Sequence, residues 1–128
     1  MSARILVVDD NPANVRLAAY VLGTRGFEVH TASTPDEAME SIGSKHPDLV
    51  LMDIQLPGTD GLTLTRRLRE NPETQKLIIV AFTAYAMRGD EEKALAAGCD
   101  GYLSKPIDTR TFADRISQFL SAERRPAP

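Results

Sequence analysis

Five short apolar segments alternate with longer segments of helical periodicity, and this alternation constrains the fold of the chain more than any other feature. The strand candidates are residues 4–9, 27–32, 48–53, 77–82 and 101–104. Several of them are almost entirely apolar, as in the strands of a parallel sheet that is covered on both faces. Five βα units in 128 residues predict a doubly wound α/β domain with right-handed crossovers, of the flavodoxin-like type, with its five parallel strands in the order 2-1-3-4-5.

The helices between these strands carry recognisable end signals. Asn11 precedes a proline at the first helical position, Thr34 and Glu37 have the spacing of a capping box, and Gly98 is placed to end a helix in the left-handed conformation. We expect the five helices to begin at about residues 12, 35, 61, 87 and 109. The last helix is predicted to end near residue 123, so that residues 1–123 form one domain and residues 124–128 a short tail.

Composition and charge disfavour several classes of protein. The single cysteine, Cys99, leaves no internal disulfide and suits a reducing compartment. The net charge is −3 without a long Lys/Arg run, which disfavours a nucleic-acid partner. Neither a signal peptide nor an apolar stretch of about 20 residues, the length that crosses a bilayer, is present in the sequence. We therefore expect a cytoplasmic protein without membrane insertion.

Polar side chains stand at the carboxyl ends of the predicted strands. Strand 1 ends in Asp9 and Asp10, strand 3 in Asp53, strand 4 is followed by Thr83, and Lys105 follows strand 5. Ligands of open α/β sheets bind beyond these strand ends, at the point where the strand order reverses. The predicted order therefore gathers three carboxylates, one hydroxyl and one ammonium at a single edge of the sheet.

Clustered carboxylates of this kind suit a hard divalent cation. Two like charges about 4 Å apart repel by about 4 kcal/mol at an effective dielectric constant near 20, so the acids need a compensating charge. Mg²⁺ (or Mn²⁺) takes one or two carboxylates and leaves positions open for phosphate oxygens. Asp53 could then attack a phosphorus atom in line and form an acyl phosphate. Lys105 and Thr83 would offer a charge and a hydrogen bond to the phosphate.

Four motifs carry a resemblance to a known family. They are "VVDD" (7–10), "LVLMDIQLPGTDG" (49–61), "FTA" (82–84) and "YLSKP" (102–106). In this order and at this spacing the chain resembles, over essentially its full length, the CheY-like receiver domain of two-component response regulators. The resemblance is closest to stand-alone single-domain regulators of the DivK type and to receivers associated with hybrid histidine kinases, particularly over residues 83–107.

The resemblance implies a role for each residue of the acidic site. Asp53 matches the aspartate that accepts the phosphoryl group, and Asp10 matches a direct ligand of Mg²⁺. Asp9 is expected to act on the metal mainly through water. Gln55 stands at the position that gives its backbone carbonyl to the metal.

The same resemblance assigns the switch residues. Thr83 matches the hydroxyl that moves onto the phosphoryl group, and Lys105 matches the lysine that pairs with it. Tyr102 matches an aromatic side chain that changes rotamer. The Lys105–Pro106 peptide matches one that is usually cis in the family, and proline lowers the cost of the cis form to roughly 0.5–1 kcal/mol.

The first helix carries apolar residues on two sides. By analogy with the family, Leu17 and Val21 would face the core. A partly exposed patch beside the active site would then be available to a histidine phosphotransfer helix, and its members would be Val15, Ala19, Leu22 and, from the neighbouring loop, Pro106. The alternative is that Val15, Ala18, Ala19 and Leu22 form the stripe that faces the core.

The partners implied are a histidine kinase or histidine phosphotransfer protein and a downstream protein target. Because no output domain follows residue 128 in the sequence, output is expected through protein contact, at the surface of helix 4, strand 5 and helix 5. The protein is expected to be a monomer, or a dimer once phosphorylated. Gln55 and Tyr85 stand where the family controls access of water, so a bulky Tyr85 would slow hydrolysis of the acyl phosphate.

Three other functions remain open on the residues alone. An aspartate-nucleophile phosphohydrolase would carry a second aspartate two residues after the nucleophile, where this chain has Gln55. A flavodoxin-like FMN binder would need a phosphate-binding loop after strand 1, and "DDNPAN" would repel phosphate. A third reading keeps the acidic site as a Mg²⁺-linked docking module and makes phosphorylation secondary. The first interpretation, a phosphoacceptor rather than an enzyme acting on other substrates, accounts for the most residues.

Overall fold

A computed structural model describes residues 3–55, 60–83 and 89–124. Its centre is a five-stranded sheet in which every neighbouring pair is parallel, in the order β2-β1-β3-β4-β5. The strands are β1 Arg4–Val8, β2 Glu28–Ala32, β3 Leu49–Asp53, β4 Ile78–Thr83 and β5 Gly101–Ser104. The predicted strand order is confirmed, and each observed boundary lies within one residue of the predicted one.

Five helices connect and follow the strands. They are α1 Pro12–Thr24, α2 Pro35–Lys45, α3 Gly61–Glu70, α4 Asp90–Ala97 and α5 Phe112–Arg124. α5 begins later than predicted because a turn precedes it, in which the Phe112 N–H donates to the Asp108 carbonyl at 2.9 Å. The predicted start of α4 near residue 87 lies outside the described residues. In the described part of the chain, no helix has the length and apolar character that crossing a bilayer requires.

The helix ends use the residues that the sequence indicated. The Asn11 side chain accepts from the backbone N–H groups of Ala13 and Asn14, at 2.9 and 3.3 Å. Thr34 Oγ1 accepts from the Glu37 N–H at 3.1 Å, whereas the Glu37 carboxylate accepts from the hydroxyl of Ser33. The Thr34 half of the predicted capping box is therefore formed, and the Glu37 side chain binds one residue further upstream.

The hydrophobic core lies in two layers, one on each face of the sheet. Because strand side chains alternate between the faces, each strand supplies both layers. One layer packs against α1 and α5, and its buried members include Ile5, Val7, Leu49, Leu51, Val80, Phe82, Leu22 and Ile116. The other packs against α2, α3 and α4, and its members include Leu6, Val8, Val50, Met52, Ile79, Leu64 and Leu68.

The predicted orientation of α1 is wrong for two residues. Leu17 is 38% exposed instead of facing the core, and Leu22 is fully buried instead of lying in an exposed patch. Val21 is buried as predicted, and Val15 is half-buried against the core layer that holds Leu22. The stripe at positions 15, 18 and 22 therefore faces the sheet, as in the alternative interpretation. Replacing Leu22 by Asp would place a charge in the core and unfold the protein, so Leu22 is removed from the docking patch.

Candidate functional site

Three carboxylates meet at the carboxyl ends of two neighbouring strands. One oxygen from each of Asp9, Asp10 and Asp53 can be chosen so that all three lie within 4.8 Å of one another. Asp9 follows β1 and is only 1% exposed, Asp53 ends β3 and is 3% exposed, and Asp10 is exposed. Because β1 and β3 pair side by side, the strand order itself produces this convergence.

Asp53 is held by one backbone donor and one cation. Its Oδ1 accepts from the Gln55 N–H at 2.9 Å, and its Oδ2 lies 3.3 Å from Lys105 Nζ. Burial raises the pKa of Asp53 above its ordinary value, and the nearby charge of Asp9 adds to this effect. The Gln55 N–H and the Lys105 ammonium oppose the rise without cancelling it. The ionised carboxylate is therefore destabilised where it stands.

Asp9 presents a buried oxygen whose close partner among the described residues is the Lys105 ammonium. Its Oδ1 accepts from the Asn11 N–H at 2.9 Å. Its Oδ2 lies 2.7 Å from Lys105 Nζ, an ion pair by distance, yet among the described residues it receives no hydrogen bond of acceptable geometry. Such an oxygen, beside two more carboxylates, fits the all-oxygen ligand set that Mg²⁺ prefers. The donor set is therefore compatible with a hard divalent cation.

Lys105 joins the fifth strand to this site. Its backbone N–H donates to the Thr83 carbonyl at 2.7 Å, which holds the residue after β5 beside the end of β4. Its ammonium bridges Asp9 and Asp53, and its side chain is only 11% exposed. Thr83 is fully buried at the end of β4. The Lys105–Pro106 peptide is cis, as the resemblance implied.

Comparison with known proteins identifies the family of the chain. The sequence model described as "Response regulator receiver domain" matches residues 5–117. The chain belongs to the response regulator receiver domain family. It is 38% identical over 120 residues to the polar-differentiation response regulator DivK of Brucella ovis, a match that covers 94% of this chain and 98% of that protein.

Solved structures of receiver domains share the whole fold. A response regulator of Chloroflexus aurantiacus superposes with a TM-score of 0.89 at 32% identity, covering 94% of this chain and 99% of that one. A CheY-like receiver domain protein of Methanospirillum hungatei gives a TM-score of 0.87 at 29% identity, covering 96% and 97%. The strand order 2-1-3-4-5 predicted from the sequence is thus that of a receiver domain.

One residue of the approach to the acidic site is a glycine for steric reasons. Gly61 opens α3 and is buried against the end of β3, where a Cβ would collide with the Asp53 carbonyl oxygen. Its N–H donates to the Ile54 carbonyl at 3.1 Å. The start of α3 can therefore approach the backbone of the central aspartate only without a side chain.

The other predicted residues of the receiver domain differ in their burial. Tyr102 is half-buried on β5, opposite Ala81, and packs against the core layer under α4. Pro106 is exposed, and Ala19 is half-buried on α1. Tyr85 lies outside the described residues.

A cleft of about 200 Å³ opens beside the acid pair. It is lined by Asp9, Asp10, Pro12, Val15, Thr31, Ala32, Ser33 and Glu37. Val15 reaches this cleft from α1, which places one member of the predicted docking patch directly beside the carboxylates. A larger cleft of about 620 Å³ lies at the opposite end of the sheet, around His46 and Lys76, away from the acidic site.

Sequence reasoning missed one neighbour of the site. The centroid of the Phe82 ring lies 5.1 Å from Lys105 Nζ, and the ring is fully buried. The available signal was an aromatic residue directly before Thr83 in a strand that is otherwise aliphatic up to that point. The signal was weak because strand aromatics commonly serve only as core residues.

Proposed function

We propose that this receiver domain accepts a phosphoryl group on Asp53 from a histidine kinase or a histidine phosphotransfer protein. The observation that carries the proposal is the convergence of three carboxylates and the Lys105 ammonium at the carboxyl ends of β1, β3 and β5. Asp53 is the member that lies at the centre of the sheet, flanked by both neighbouring strands. A negative carboxylate next to a fixed cation can attack phosphorus while its neighbours balance charge.

The chain's own groups prepare this transfer. The Gln55 N–H fixes Asp53 Oδ1, which leaves Oδ2 as the oxygen that faces the Lys105 ammonium. Asp10, the exposed acid, would bind Mg²⁺ (or Mn²⁺) directly together with Asp53 and the backbone carbonyl of Gln55, and Asp9 would bind it mainly through water. The bound cation would neutralise the charge that gathers on the phosphoryl oxygens.

Phosphorylation would then change the surface of the domain. The modified side chain carries about −1.5 to −2 charges, which attracts the Lys105 ammonium and the Thr83 hydroxyl. Movement of Thr83 would open space for the ring of Tyr102, and an existing equilibrium would shift towards a partner-binding state. The surface formed by α4, β5 and α5 would present the result to a downstream protein.

Exposure to a small phosphodonor such as acetyl phosphate, with Mg²⁺, tests the acceptor. The wild-type protein should gain the mass of one phosphoryl group, and Asp53→Asn should gain none. Asp36→Asn serves as the matched control because Asp36 is an exposed carboxylate on α2, and it should be modified like the wild type. Equal modification of the Asp53→Asn protein would refute the assignment, as would modification that persists unchanged in EDTA.

The phosphodonor protein is proposed to dock on the first turns of α1. Val15 lines the cleft beside the acids, Ala19 is half-buried one turn later, and Pro106 is exposed on the loop after β5. Ala19→Glu should slow transfer from a phosphotransfer protein and leave modification by acetyl phosphate unchanged. Arg16→Glu, an exposed neighbour, controls for charge alone. Equal loss with both phosphodonors would place the defect in the acceptor chemistry and contradict docking.

A further inference from the structure

Among the described residues, the Lys105 ammonium has three close neighbours, two carboxylates and one aromatic ring. Asp9 Oδ2 lies 2.7 Å and Asp53 Oδ2 3.3 Å from Nζ, and the centroid of the Phe82 ring lies at 5.1 Å. Both carboxylates and the ring are almost fully buried. The face of an aromatic ring carries partial negative charge, and a cation within about 6 Å of the centroid is attracted to it, most strongly where water is excluded.

The ring that faces Lys105 is itself fixed. Phe82 lies inside β4, opposite Asp53 on β3 and Leu103 on β5. Its ring packs against the ring of Phe112, with centroids 6.3 Å apart and planes inclined by 35°. Phe112 is the first residue of α5 and is buried in the same core layer. The ring is therefore held by two strands and a helix, as a rigid platform under a flexible lysine.

The proposed reaction changes the two carboxylates but does not change the ring. Asp53 changes its charge and shape on accepting a phosphoryl group, and Asp9 and Asp53 both engage the cation that the acidic site would hold. Phe82 carries no charge and offers no ligand atom. The ring itself is therefore unchanged by the proposed reaction, whereas both carboxylates change their partners.

We propose that Phe82 is a positioning residue, whose ring keeps the Lys105 ammonium beside the Asp53 carboxylate where phosphoryl oxygens arrive. The effect on transfer rests on the proposed function of Asp53, whereas the positioning of the ammonium can be measured without it. Phe82 touches neither substrate nor reacting atoms and acts only through Lys105.

Progressive fluorination tests the contact with little change in shape. Phenylalanine with one and with three ring fluorines, incorporated at position 82, withdraws charge from the ring face while the core remains filled. The rate of modification by acetyl phosphate with Mg²⁺ should fall stepwise, by about fivefold over the series, the factor that corresponds to a cation–π contact of about 1 kcal/mol. The same residues at position 112 perturb the same ring pair without facing the lysine and should leave the rate unchanged. A flat series at position 82, or an equal fall at position 112, overturns the proposal.

A spectroscopic measurement separates positioning from phosphorylation. In the unphosphorylated protein, the ε-methylene protons of Lys105 should resonate upfield because of the Phe82 ring current. Phe82→Leu should return them to the ordinary lysine position, and Phe112→Leu, which removes the same ring pair, should not. If the wild type accepts no phosphoryl group, the proposed function fails, and this measurement still decides the positioning. Lysine signals without an upfield shift in the wild type, or equal shifts in both variants, overturn it.

Discussion

Two charged clusters at opposite ends of the sheet differ in how well their charges are matched. At the carboxyl ends, the three carboxylates of Asp9, Asp10 and Asp53 lie close together, and the Lys105 ammonium pairs with two of them, Asp9 and Asp53. At the amino ends, the single guanidinium of Arg69 meets four acceptors. These are the carbonyls of Gly98, Gln75 and Leu77 and the carboxylate of Asp100. We call this second cluster the Arg69 clasp, with the residues just named as its members.

The clasp connects α3 to the segments before β4 and β5 at the amino ends of the strands. Arg69 stands at the end of α3, and its partners stand in the loop before β4 and between α4 and β5. Asp100 Oδ2 also accepts from the Ile79 N–H at 2.8 Å, so the carboxylate is shared between the guanidinium and β4. The guanidinium donates four hydrogen bonds to described residues, and the partly exposed ion pair with Asp100 is thus part of a well-matched set of donors and acceptors.

The charges and hydrogen-bonding groups of the acidic site are not matched in this way, and the difference points to a function. The described residues of this site hold three carboxylates beside one ammonium, a buried Asp9 oxygen whose contact with that ammonium is poorly aligned for a hydrogen bond, and a carboxyl whose pKa is raised by burial. A chain optimised only for stability would not keep such a cluster at the centre of its sheet. Local conflicts of this kind are expected where a ligand completes the charge balance. The contrast predicts that mutations at the two ends will separate stability from function.

Arg69→Ala should have the largest effect on stability. It removes the donor from three carbonyl groups and the guanidinium from the Asp100 carboxylate, which keeps the Ile79 N–H. We expect a loss of about 3 kcal/mol in the free energy of unfolding. Urea denaturation measures it. Arg66→Ala, at an exposed position of the same helix, should change the value by no more than about 0.5 kcal/mol. Equal losses in both variants would show that the hydrogen bonds of the clasp do not contribute specifically to the free energy of unfolding.

Magnesium should stabilise the fold by binding to the acidic site at the carboxyl ends of the strands. A ligand at about one hundred times its dissociation constant adds about 2.7 kcal/mol to the free energy of unfolding. The shift of the urea midpoint with MgCl₂ should be present in the wild type and much reduced in Asp10→Asn. In Arg69→Ala, the shift should be as large as in the wild type, since the two clusters share no residue. Loss of the Mg²⁺ effect in Arg69→Ala would show that the two ends are coupled.

The fold was predictable because its signals are local. Apolar runs such as Ile5–Val8 fix the strands, and Asn11, Thr34 and Gly98 fix helix ends through contacts within a few residues. The orientation of α1 about its axis could not be predicted from local signals. Both of its stripes are apolar, and only packing against the sheet and α5 decides that Leu22 is buried while Leu17 is exposed.

The acidic site was predictable as a set of positions but not as a set of contacts. The strand order places Asp9, Asp53 and Lys105 at one edge, and spacing along the chain suffices for that inference. The ring of Phe82 under Lys105 depends on side-chain directions from two strands. The Arg69 clasp joins residues about 30 positions apart, through the Gly98 carbonyl and the Asp100 carboxylate, and a backbone carbonyl leaves no mark in the sequence.

Asp53→Asn should stabilise the protein when Mg²⁺ is absent. The pKa of Asp53 is raised in the folded state, so the native protein binds this proton more tightly than the unfolded chain does. Stability is therefore lost as the pH rises above the unfolded value near about 4, and the asparagine variant escapes that loss. Urea midpoints in EDTA should be higher for Asp53→Asn at about pH 7 and converge with the wild type at about pH 4. A lower midpoint at neutral pH would mean that the Lys105 contact outweighs burial.

The smallest expected effect is a local one, reported by Cys99, which lies between Gly98 and Asp100 of the clasp. Its thiol is buried, 3.9 Å from the Thr65 hydroxyl, and burial raises its pKa. Alkylation by iodoacetamide should therefore be slow in the folded wild type, because both access and the thiolate are suppressed. Arg69→Ala should accelerate it by about tenfold through local opening of this segment, whereas Asp53→Asn should leave it unchanged. Equal acceleration in Asp53→Asn would show that the two ends of the sheet open together and would break the division of roles between the two clusters.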